Sequence, residues 1–69
     1  MEEIIFLVEE SNEGGYTAKA LGEAIVTEAD TIEELRDAVK DAVHCHYDNE
    51  VDRPKMIRLH LVKDEVFAA

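Results

Sequence analysis

Hydrophobic positions along this chain follow two periods. Between Thr27 and Tyr47, Ile32, Leu35, Val39, Ala42, Val43 and His46 recur at spacings of three and four, which on a 3.6-residue period draws one stripe along one helix. Asp30 and Thr31 are both good N-caps, each with a glutamate three residues on, Glu33 and Glu34, and either register opens the helix. Glu33 and Glu34 meet the positive end of the helix dipole, while Lys40, His44 and His46 lie toward the negative end.

Elsewhere the period is two. Ile4-Ile5-Phe6-Leu7-Val8 is a β-branched and aromatic run with Ile4, Phe6 and Val8 on one face and Ile5 and Leu7 on the other. A polar loop ending in Gly14-Gly15 leads to Tyr16–Leu21, where Tyr16, Ala18 and Ala20 share a face and the small alanines leave room for a close helix. Gly22-Glu23 suits a two-residue type II′ turn into Ala24-Ile25-Val26-Thr27. The turn-rich stretch Asp48–Pro54 ends the helix. Lys55–Val62 then alternates, with Ile57, Leu59 and Leu61 toward the core and Met56, Arg58, His60 and Val62 away from it. Asp64-Glu65 turns the chain into a short last strand, Val66-Phe67-Ala68.

The predicted fold is therefore α+β: β-β-β-α-β with a fifth strand, an antiparallel sheet carrying one helix on one face. Nothing in this order covers the other face. An apolar patch on an open sheet face marks an interface, so Ile5, Leu7, Met56, Arg58, His60 and Val62 are the candidate partner or self-association residues.

Size and charge sharpen this. Sixty-nine residues make a single domain, 1–69, small enough that association is the expected source of further buried area, as a homo-oligomer of two or four chains. The lone Cys45 excludes an internal disulfide, and no paired Cys/His spacing of the structural zinc kind occurs. Seventeen acidic residues against seven basic ones give a formal charge of −10. That field repels a phosphate backbone and favours a basic protein partner. The start Met1-Glu2-Glu3 is acidic where an export signal is basic, and no apolar run approaches the ~18 residues of a membrane span, which points to the cytoplasm.

Candidate chemistry is thin. His44-Cys45-His46 invites a metal or thiol site, with His60 as a further base. At about 100° per residue, however, His44 points away from the stripe and His46 lies within it, so the imidazoles diverge. Cys45, beside Ala38 on the helix flank, reads as a small buried apolar residue. His46 reads as a boundary histidine that packs over the core edge and caps helix carbonyls, the alternative being a reach toward a partner. Tyr16 and Tyr47 read as packing residues with surface hydroxyls. Asp48–Asp52 resembles a calcium loop superficially, but Arg53 occupies the sixth position, where such a loop needs glycine. Gly14-Gly15 lacks the rest of a nucleotide fingerprint and is a structural turn. No catalytic residue and no cofactor is expected.

Glu13-Gly14-Gly15-Tyr16, the run Thr27-Glu28-Ala29-Asp30-Thr31-Ile32-Glu33-Glu34-Leu35, the helix to His46, and the closing Ile57-Arg58-Leu59 and Asp64-Glu65-Val66 stand in the order and spacing of a known family. Together they resemble the small HicB-like proteins of toxin–antitoxin systems. The resemblance implies a domain likened to a partial ribonuclease-H fold without its catalytic carboxylates. It also implies an antitoxin that covers the active surface of HicA, a small basic messenger-RNA ribonuclease. Many members carry a DNA-binding segment, and none is expected here. The "F-P-D-L-P-G" type segment of the commoner members is replaced by Ala20-Leu21-Gly22-Glu23-Ala24, the mark of a compact, solitary branch. Two other readings remain open: a self-associating structural or regulatory module without a toxin, and a small metal- or thiol-dependent enzyme resting on Cys45, His46 and His60.

Overall fold

The computed structural model describes residues 2–69. The apolar run near the N-terminus forms β1 (Glu3–Glu10), followed by β2 (Tyr16–Ala20), β3 (Val26–Ala29), α1 (Ile32–His46) and β4 (Met56–Val62). The predicted α+β class and element order are both observed. The sheet order is β3-β2-β1-β4, with β1 antiparallel to β2 and β2 antiparallel to β3. β1 and β4 pair in parallel, Phe6 opposite Leu59. The sheet is thus mixed, where an antiparallel one was expected. Connectivity is the reason: the meander leaves β3 running with β1, α1 runs back, and the strand after a single helix must again run with β1.

The stripe on α1 packs on the β1 and β2 face that also carries the small alanines. Ile4, Phe6, Val8, Ala18, Ala20, Ile25, Leu35, Val39 and Val43 are the buried core. Ala18 and Ala20 are 0% and 4% exposed, so the helix sits close over β2, as their size permits. Thr31 is the N-cap, its side chain accepting from the Glu34 amide at 3.1 Å. At the other end the Tyr47 amide donates to the Val43 carbonyl, and the Arg53 guanidinium donates to the Tyr47 carbonyl at 3.1 Å.

The turn between β2 and β3 is centred on Gly22-Glu23 as expected, since Lys19 faces Val26 and the Ala20 amide donates to the Ile25 carbonyl. Gly22 has φ +85°, the positive value that glycine adopts freely. Pairing nonetheless starts further along, so β3 extends to Ala29. Leu21 leaves that hairpin, its amide donating to the Ile5 carbonyl. Gly15 is required by space as well as by its φ of +87°: a Cβ there would lie 3.1 Å from the Ala29 carbonyl oxygen.

Two expectations fail on the β4 side. Leu61, placed in the core by alternation, is 59% exposed, because α1 packs chiefly on β2 and β3 and leaves the end of β4 bare. Val66-Phe67-Ala68 forms no strand: residues 63–69 carry no regular structure, and Val66 and Phe67 are 94% and 80% exposed. Asp64-Glu65 lacks the glycine or asparagine that a tight hairpin requires, so the chain runs on past β4.

Thr31→Ala is expected to lower stability by about 1 kcal/mol, whereas Asp30→Ala changes it by under about 0.5 kcal/mol. Leu35→Ala, which empties a fully buried position, costs about 3 kcal/mol. Urea denaturation followed by circular dichroism measures all three.

Candidate protein-binding face

Strand alternation sends the residues between the buried ones to the side of the sheet opposite α1. Register assembles them into rows. Val26, Lys19, Leu7 and His60 form one row across all four strands, and Glu28, Thr17, Glu9 and Val62 form the next. Arg58 lies opposite Ile5, and Met56 opposite Glu3. The fold therefore brings Ile5, Leu7, Met56, Arg58, His60 and Val62 onto one face. Ile5 and Leu7 are half-buried; Met56 and Val62 are exposed.

Two further apolar residues, Leu21 and Val26, are exposed on the same side and escaped the sequence reading. The signal for them was present: once the turn is centred on Gly22-Glu23, parity places both on the face of Lys19.

Arg58 forks onto Glu3, its Nε donating to Oε1 at 3.2 Å and its terminal nitrogen to Oε2 at 3.1 Å. These hydrogen bonds, and then the carboxylate's charge, hold the guanidinium above its ordinary range. Lys19 and Arg58 set against Glu3, Glu9 and Glu28 leave the face a formal charge of −1, out of −10 for the chain. Its centre is thus nearly neutral and apolar, and most of the acidity lies on the helix and loops. Apolar side chains on an open sheet face, with few charges among them, are what the centre of a protein–protein interface is made of.

The histidine–cysteine cluster is arranged differently from expectation. His46 Nε2 stands 3.5 Å from Glu23 Oε2, and its ring meets that of Tyr47 edge-on, 4.8 Å between centroids. Arg53 serves the helix C-terminus instead, its fork reaching back across the turn. Burial first, and then a hydrogen bond and the charge of Glu23, raise the Tyr47 phenol above its ordinary value of 10.0. Glu23 thereby ties the β2–β3 turn to the end of α1. Cys45 is exposed, not buried: it rims a shallow recess with Ile25 and Val26, on the side where β3 is the edge strand and has no neighbour beyond it to cover the thiol. His60 lies across the sheet from it. Among the described residues no three histidine, cysteine or acidic side chains come together to hold a metal.

A groove of about 390 Å³ separates α1 from β4, with Val39, Val43, Ile57 and Leu59 among its lining and Arg36, Lys40 and Lys55 beside them. A second recess, of about 430 Å³, lies at Gly14-Gly15 and is bordered by Glu28, Asp30 and Glu34. Three carboxylates there oppose any phosphate. No helix among the described residues is long and apolar enough to cross a membrane.

The chain is similar to a UPF0150 protein of Archaeoglobus fulgidus, 57% identical over 53 residues that make up 77% of each chain. It is also similar to a UPF0150 protein of Thermotoga maritima, 43% identical over 67 residues, covering 97% of this chain and 93% of the relative. No protein-family model and no solved structure matches it.

In a Tyr16→Phe background, the Tyr47 phenol is expected to titrate above pH 10.0, and Glu23→Gln to move it back down, read by ultraviolet difference spectroscopy. The raised value means that this contribution to stability is complete below pH 10.0 and is lost as pH rises through the folded-state value.

Proposed function

The chain belongs to the UPF0150 protein family, and on that footing we propose that it is a cytoplasmic, antitoxin-like binding protein. In this reading it neutralises a small basic HicA-type ribonuclease by covering its active surface, and it has no reaction of its own. The observation that carries this is the uncovered sheet face, where Ile5 and Leu7 stay half-buried and Leu21, Val26 and Met56 lie exposed on a strongly acidic molecule. A basic ribonuclease is drawn in by the charge and held by the apolar centre. The HicB-like order of motifs from Glu13 to Val66 supports the same partner class.

Co-purification from the source cell is expected to recover a small basic protein whose cleavage of messenger RNA stops when the two are mixed in equal amounts. The double variant Val26→Asp/His60→Asp, at exposed positions, should weaken that inhibition by about tenfold or more with unchanged circular dichroism. Repeated recovery of the chain without such a ribonuclease would overturn the proposal.

A further inference from the structure

The isolated chain exposes more surface than its mass accounts for. Its accessible area is 5428 Å², whereas a compact monomer of 7.8 kDa exposes about 4,400 Å². Its radius of gyration is 13.4 Å, against about 11 Å for a compact chain of this length. The surplus, about 1,000 Å², is close to the ~800 Å² that each partner buries in a stable protein–protein interface.

Exposed large apolar side chains gather at β4 and beyond it: Met56, Leu61, Val62, Val66 and Phe67. β4 is the last strand of the sheet, so one side of its backbone is unpaired. After it come Asp64, Glu65, Val66 and Phe67, two carboxylates followed by two exposed apolar residues. Beside β4 lies the groove with the opposite character: an apolar floor with Arg36, Lys40 and Lys55, and no carboxylate among its described lining residues. Three of the chain's seven basic residues thus gather in one place. Among the described residues neither Arg36 nor Lys40 enters an ion pair. Lys55 meets only the exposed Glu2, at 3.7 Å, a pairing of little strength.

We propose that the groove between α1 and β4 receives residues 64–67 of a second copy of this chain, with Val66 and Phe67 on the apolar floor and Asp64 and Glu65 toward Arg36, Lys40 and Lys55. The chain's own tail falls short. Phe67 is five residues beyond Val62, about 17 Å of fully extended chain, and the return from Val62 to Ile57 along β4 uses about the same length before any residue is spent on reversing. A second copy has no such constraint. Two β4 edges approaching antiparallel about a twofold axis carry each tail toward the other's groove, and the exchange closes as a dimer. This interface lies at the sheet edge; of the six open-face residues only Met56 also borders the groove, so it stands apart from the rest of the face proposed for toxin binding.

Light scattering coupled to size exclusion should give twice the 7.8 kDa chain mass. Phe67→Asp, at a position 80% exposed in the isolated chain, should weaken self-association by about tenfold or more with unchanged circular dichroism. A charge exchange supplies the decisive arm. Lys40→Glu/Lys55→Glu alone and Asp64→Lys/Glu65→Lys alone should each be monomeric, and an equal mixture of the two should restore the dimer, since each groove then meets a tail of opposite sign. A monomeric parent protein, a dimer indifferent to Phe67→Asp, or a mixture that stays monomeric would each overturn the proposal. Val26→Asp/His60→Asp should leave the dimer intact, which separates this interface from the face assigned to the toxin.

Discussion

One helix has to cover four strands. A helix with its side chains is about 10 Å across, while four strands at about 4.8 Å spacing present a sheet nearly twice as wide. α1 settles over β2 and β3, where Ala18 and Ala20 let it approach, and β4 is left at the margin. The exposed Leu61 and the groove lined by Ile57 and Leu59 both follow from that shortfall. So does the bare opposite face, over which no element among the described residues lies.

Charge is distributed to match. The open face is close to neutral, the groove beside β4 is basic, and the carboxylates crowd the helix surface, the loops and the tail. An evenly acidic molecule of this size would repel its own copies at every approach. This one has two surfaces on which that repulsion is relieved, and both are apolar.

Local signals were sufficient for the helix, its N-terminal acidic turn, the first hairpin and the buried faces of β1 and β2, because each rests on neighbours within a few residues. The cap needed geometry to choose Thr31 over Asp30. The direction of β4 followed from connectivity that a strand-by-strand reading did not trace, and the exposure of Leu61 from the width of the helix, which no alternation pattern encodes. His46 was misassigned because its partner, Glu23, is more than twenty residues away in the chain and reaches it only through the β2–β3 turn. The six open-face residues were legible from parity alone. The groove was not, since it exists only once β4 lies beside β1.

The parallel pairing of β1 with β4 also sets an order of events. Phe6 and Leu59 are neighbours in the sheet but stand at opposite ends of the chain, and contacts of such long sequence separation form late and slowly. During synthesis β1 emerges first and waits for its second neighbour until β4 has left the ribosome. Until then the most apolar strand of the molecule is an unprotected edge, the kind of surface that binds chaperones or aggregates. The sheet therefore completes only once β4 has been made, and a nascent chain stopped before Met56 cannot close its central strand.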